Sequence, residues 1–134
     1  MIALDSSVVI AGFGSWHEHH AVAREAFGER PRLPVHAGLE AYSVLTRLPA
    51  PFRAEPRLVA DFLLRTFSAG PLALDVDEHA ALPARLAGYG ISGGAAYDAL
   101  IGLTAGASGA ELLTLDRRAL ATYERCRVPA RLLT

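Results

Sequence analysis

Short apolar runs alternate with helix-period segments along the whole chain, and this alternation constrains the fold more than any other feature. The β-type runs lie at Ile2–Leu4, Leu33–Val35, Leu72–Leu74, Leu112–Leu115 and Val128–Leu133. Helical patterns fill the intervals, at Ser6–Ala11, His19–Phe27, Gly38–Leu48, Leu58–Phe67, His79–Ala87, Ala95–Ala107 and Arg117–Arg125. In the third of these, Leu39, Tyr42, Leu45 and Leu48 recur every three residues and mark one helix face. Strands separated by helices predict an α/β fold with a mostly parallel sheet, because parallel neighbours need a long crossover. Sheets of that kind build their sites beyond the carboxyl ends of the strands.

The chain has 134 residues, which predicts one domain spanning 1–134. Its 51% hydrophobic content is enough for a real core and excludes a disordered chain. Met1–Leu4 meets Asp5 at once, so no signal peptide is expected, and no apolar run approaches a membrane span. One cysteine, Cys126, excludes a disulfide scaffold and a Cys-rich zinc site, which suits a cytoplasmic setting. All thirteen basic residues are Arg, because the chain has no Lys. A P-loop needs its Lys. The haloacid dehalogenase phosphatases and response-regulator receivers, which also carry strand-end Asp residues, need one too.

Several other motifs carry no chemistry here. Gly88–Gly93 spells G-x-G-x-x-G, but a dinucleotide site needs a strand before it. This one follows a helical pattern and reads as a helix stop. His17, His19 and His20 cluster without completing a zinc motif, and read as a solvated helix entry. Gly102 and Gly106, four apart on one helix, read as small residues admitting a close neighbour.

Four carboxylates occupy special places. Asp5 and Asp116 end β-type runs, whereas Glu40 and Asp98 lie in the early turns of helices. Singly, each fits a cap or a dipole partner. Together they fall on the one sheet edge where strands end and helices begin. Gathered at about 5 Å, each ionised pair would repel by roughly 3 kcal/mol at an effective dielectric of about 20. Such a cluster needs countercharge, and without Lys only Arg or divalent cations remain. All-oxygen donors suit Mg²⁺ or Mn²⁺.

These residues resemble the PIN-domain ribonucleases, and within them the VapC-type toxins of bacterial toxin–antitoxin pairs. The resemblance rests on Met1-Ile-Ala-Leu-Asp5-Ser-Ser-Val-Val-Ile10, Leu39-Glu40-Ala-Tyr-Ser-Val-Leu-Thr-Arg47-Leu-Pro49, Tyr97-Asp98-Ala-Leu-Ile101 and Leu113-Thr114-Leu-Asp116-Arg117-Arg118. It implies a three-layer α/β/α fold around a central, mostly parallel five-stranded sheet. It further implies an endoribonuclease using one or two Mg²⁺ or Mn²⁺ ions and leaving 5′-phosphate and 3′-hydroxyl ends. Asp5, Glu40, Asp98 and Asp116 fall on the family's catalytic and metal-binding acids. Ser7 and Thr114 fall on its supporting polar positions. An antitoxin partner and a homodimer are implied as well. Two alternatives stay open: a non-catalytic RNA- or protein-binding PIN module, and an RNA-processing nuclease that is not a toxin.

RNA approaching four acids needs guidance by Arg. The net charge of −1 conceals an asymmetry: residues 117–134 carry +4 and the rest −5. Arg117 and Arg118, and also Arg47, are the candidate phosphate contacts. The helical patterns at His19–Phe27, Gly38–Leu48 and Leu58–Phe67 are candidates for an antitoxin groove.

Overall fold

The strands pair in parallel throughout the computed structural model, which describes residues 1–134. In chain order the elements are β1 (Ile2–Leu4), α1 (Ser6–Phe13), α2 (His20–Phe27), β2 (Leu33–Pro34), α3 (Val35–Arg47), α4 (Pro56–Thr66) and β3 (Pro71–Leu72). There follow α5 (Val76–Ala80), α6 (Leu82–Tyr89), α7 (Ala95–Ala107), β4 (Glu111–Thr114), α8 (Arg117–Arg125) and β5 (Ala130–Leu132). Strands β1, β4 and β5 form one sheet, and β2 and β3 a second. A lone parallel bridge between Ala3 and Arg32 joins the two, so the spatial order is 3-2-1-4-5. The predicted five-stranded α/β architecture is therefore present, with a weak seam between β1 and β2.

Proline explains that seam. Pro31, Pro34 and Pro71 lie in or beside the two short strands and have no N–H to give a ladder. The remaining donors do bond across the seam: Leu4 N–H reaches the Arg32 carbonyl at 3.2 Å, and Arg32 N–H reaches Ile2 at 2.8 Å. The Arg32 guanidinium then bonds the Gly70 and Pro71 carbonyls, tying β2 to β3 from the side.

Right-handed crossovers place α1–α4 on one face of the sheet and α5–α8 on the other. Most contacts follow that division, with α1 on α2 and α3, α3 on α4, and α7 on α6 and α8, while α3 also meets α7. Between the layers, Leu4, Val8, Val9, Ile101, Leu112, Leu113 and Tyr123 are fully buried. Connections leave β1 toward β2 and leave β4 toward β5, in opposite directions. The crevice beyond β1 and β4 is thus a topological switch point, the usual site position in open parallel sheets.

Several boundaries differ from expectation. Helix α3 begins at Val35 rather than Gly38, because Pro34 fixes φ near −57° directly before it. Gly38 lies inside the helix, where an added Cβ would stand 3.1 Å from Leu33 Cδ2. Helix α4 opens earlier, on Pro56 at its first position. The single expected helix at His79–Ala87 is two. A reciprocal Asp75–Glu78 capping box starts α5, and α6 runs to Tyr89. Gly90 closes α6 at φ +71°, so the G-x-G-x-x-G segment is a helix stop. No helix is long and apolar enough to cross a membrane.

Candidate active site

Asp5 leaves β1 and caps α1. Its Oδ1 accepts from the backbone N–H groups of Ser7, at 3.0 Å, and Val8, at 3.4 Å, and from the Ser7 hydroxyl. Its Oδ2 accepts from the Tyr123 hydroxyl at 2.9 Å. Only 2% of Asp5 is exposed. Burial pushes its carboxyl above the usual range, opposed by these hydrogen bonds, that of Ser7 foremost.

Asp116 plays the same capping part for α8, accepting from Arg118 N–H at 2.9 Å and Ala119 N–H at 3.3 Å. Ser7 and Thr114 join the two strand ends. The Ser7 hydroxyl accepts Leu115 N–H at 2.9 Å, and Thr114 Oγ1 accepts Asp116 N–H at 3.0 Å. The two hydroxyl oxygens stand 3.4 Å apart. Both residues therefore hold backbone at the sheet edge.

Glu40 sits in the second turn of α3. Its Oε1 accepts from the Ser6 hydroxyl, and its Oε2 lies 3.9 Å from His36 Nε2, one turn earlier. The His36 ring stacks on Tyr97 at 5.4 Å and 13°, where the N-terminal ends of α3 and α7 meet. Asp98, next to Tyr97, lies in the first turn of α7.

Asp98 reveals that the four acids share one field. Its carboxyl is pushed up to about 6, first by partial burial and then by the charges of Glu40, Asp116 and Asp5. The other three acids are near enough to act on Asp98 electrostatically, although no three of the four gather tightly. The N-termini of α1, α7 and α8 open toward the same edge, and their partial positive charges offset part of the repulsion.

No arginine pairs with any of the four. The ion pairs are Glu18–His19, Glu40–His36 and Glu111–Arg131. Arg117 and Arg118 are exposed beside Asp116, and the Arg47 guanidinium bonds Ser43 Oγ on its own helix at 2.7 Å. Of the two countercharges the sequence left open, the structure does not use Arg. The donors are all oxygens and carry uncompensated negative charge, which fits a hard divalent cation. They are not drawn into a finished chelate: no three His, Cys, Asp or Glu side chains gather as an ion-holding group.

Three contacts escaped the sequence reading. Ser6 follows Asp5 directly, but only the packing of α1 on α3 shows that it reaches Glu40. His36 had a visible signal, its i, i+4 spacing to Glu40. Tyr123 lies 118 residues from Asp5, and only its place seven residues after Asp116 hinted at an inward face. The His17–His20 cluster lies at the entry to α2 but is half-buried rather than fully solvated, with His20 Nδ1 2.9 Å from the Ala11 carbonyl.

A groove also runs along α3 and α4. Leu33, Val35, Leu39, Tyr42, Leu64 and Phe67 line about 440 Å³ of mostly apolar space. Leu39 and Leu64 are exposed there. Two of the three helices proposed for a groove form it, and α2 does not.

Comparison with known proteins agrees with this architecture. The family model described as PIN domain matches residues 2–125. The chain is 50% identical over 134 residues to Ribonuclease VapC40 of Mycobacterium tuberculosis, in two strains, covering 100% of both chains. It is 43% identical over 125 residues to Ribonuclease VapC27 of the same species, covering 92% of this chain and 90% of that one.

Proposed function

The chain belongs to the PIN-domain family, with VapC-type ribonucleases among its relatives, and from that premise we propose that it is a metal-dependent endoribonuclease toxin of a toxin–antitoxin pair. The observation that carries this reading is the shared field of Asp5, Glu40, Asp98 and Asp116 at the switch point, unpaired with any arginine.

Asp5, Glu40, Asp98 and Asp116 would hold one or two Mg²⁺ or Mn²⁺ ions. Such an ion supplies activation of a water near neutral pH and neutralisation of phosphodiester charge. The protein's own residues supply the rest. Asp5 and Asp116 stay fixed because backbone N–H groups at the helix starts grip one oxygen of each, joined at Asp5 by the Ser7 hydroxyl. Ser7 and Thr114 hold the strand ends that carry them. Asp98, whose carboxyl is pushed up to about 6 by burial and the neighbouring acids, is the acid whose ionisation a bound cation would favour most. Arg117 and Arg118 sit where an RNA backbone leaving Asp116 would pass. Hydrolysis leaves 5′-phosphate and 3′-hydroxyl ends.

The apolar groove of α3 and α4 seats the antitoxin in this reading. The protein acts in the cytoplasm as a single domain and a homodimer.

Purified protein should cleave RNA with Mg²⁺ or Mn²⁺, stop in EDTA and recover when the metal returns. Asp5→Ala and Asp98→Ala should abolish cleavage. Full cleavage by either variant, or in EDTA, refutes the assignment. Expression should arrest growth, and co-expression of a small neighbouring antitoxin gene should relieve it. Cleavage without arrest would point to an RNA-processing nuclease; folded protein without cleavage would point to a binding module.

A further inference from the structure

We propose that Tyr123 is the positioning residue of the acid cluster, a strut that fixes the free face of Asp5 relative to Asp98 for cation binding. The inference rests on the ribonuclease reading above. Asp5 Oδ1 is saturated by three donors from the start of α1, so that oxygen is committed to capping. Oδ2 takes one hydrogen bond, from the Tyr123 hydroxyl at 2.9 Å, and keeps one lone pair. The direction of that lone pair is what a cation would meet, and the phenol sets it.

The phenol itself is held rigidly. Tyr123 is fully buried, and its ring lies against Gly102, where an added Cβ would stand 2.7 Å from Tyr123 Cδ1. Gly102 is one turn beyond Asp98 on α7, and Tyr123 is on the helix that Asp116 caps. One side chain therefore couples the elements bearing three of the four acids. A tyrosine needed only for packing would bury its ring equally well without a hydroxyl aimed at a carboxylate. The glycine, in turn, has its packing reason in the ring it admits.

The test is Tyr123→Phe in the full chain, which keeps the ring and removes the donor. Mn²⁺ binding followed by electron paramagnetic resonance should weaken about 10- to 100-fold, the range found when a ligand's hydrogen-bond partner is removed. In cleavage assays KM for RNA should stay constant while the Mn²⁺ concentration giving half-maximal rate rises by the same factor. Gly102→Ala keeps the hydroxyl but displaces the ring, and should weaken Mn²⁺ binding as well; it decides the matter if Tyr123→Phe does not fold. A folded variant of either kind whose Mn²⁺ affinity is within twofold of wild type, even with altered urea stability, overturns the proposal and leaves the ribonuclease reading intact. Wild-type protein that neither binds Mn²⁺ nor cleaves RNA overturns both.

Discussion

Replacing Asp98 with Asn should make the metal-free protein more stable at neutral pH. The Asp98 carboxyl is pushed from an ordinary 3.8 to about 6 by burial and three neighbouring acids. A shift of about two units corresponds to a ceiling of about 3 kcal/mol. Asp98 is only partly buried, so solvent screening reduces the expected gain to about 1–2 kcal/mol. The sign follows from linkage: the folded chain binds this proton more tightly than the unfolded one, so ionised Asp98 destabilises the fold above pH 6. The penalty fades as pH falls from about 6 toward 3.8, where the carboxyl is protonated in both states. Urea unfolding in EDTA at pH 7.5 should show the variant's midpoint higher by about 0.5–1 M, for a typical m-value of about 2 kcal/mol per M. At pH 4 the difference should shrink to a small fraction, and high salt should reduce it at pH 7.5. Mg²⁺ should reverse the order, because only the wild type keeps all its ligands; a ligand at a hundred times its Kd adds about 2.7 kcal/mol. A variant less stable than wild type at pH 7.5, or equally stabilised at pH 4 and 7.5, refutes the electrostatic account of the cluster.

Three further outcomes are expected. Gly12→Ala should cost about 1–3 kcal/mol in urea unfolding, because its Cβ would stand 2.1 Å from Phe27 Cζ in the buried α1–α2 contact. Leu64→Asp, at an exposed groove position far along α4, should leave RNA cleavage intact while abolishing relief of growth arrest by the antitoxin; relief that persists would move the antitoxin off this groove. Arg117→Glu with Arg118→Glu should weaken RNA binding and flatten the dependence of log affinity on log salt by about two phosphate contacts' worth, whereas an unchanged slope would reduce both residues to surface.

The order of strands and helices was more legible than their boundaries. Asp5, Glu40, Asp98 and Asp116 could be placed on one edge because strand ends and helix starts coincide in parallel α/β sheets. Capping and site-building, weighed as alternatives for Asp5 and Asp116, turn out to be compatible: one carboxylate oxygen caps and the other remains for the site in Asp5. The helix starts at Val35 and Pro56 were set by proline φ, a signal that apolar periodicity does not carry. The short helix α5 has no apolar stripe to betray it, and its evidence was the Asp75–Glu78 spacing. Tyr123 and Ser6 were invisible as site residues because their partners lie 118 and 34 residues away. Local pattern reports which face of an element is buried, but not what a polar tip on that face will touch.

The absence of lysine acquires a structural sense from what the arginines do. Arg24, Arg32, Arg53 and Arg125 each bond a backbone carbonyl, at Gly12, Gly70, Leu48 and Gly90, and Arg47 bonds Ser43. A guanidinium already bonded to an oxygen has less freedom to turn toward a carboxylate elsewhere. An ammonium on a flexible four-carbon stem has that freedom, and four acids sharing a field would draw it in. Such a lysine would stabilise the empty protein and compete with a cation for the same oxygens. With no arginine paired to any of the four and only the His36 ring, 3.9 Å away, beside Glu40, the carboxylates are left open to a cation. The repulsion that Asp98→Asn should relieve is thus one part of what a divalent cation would offset on binding.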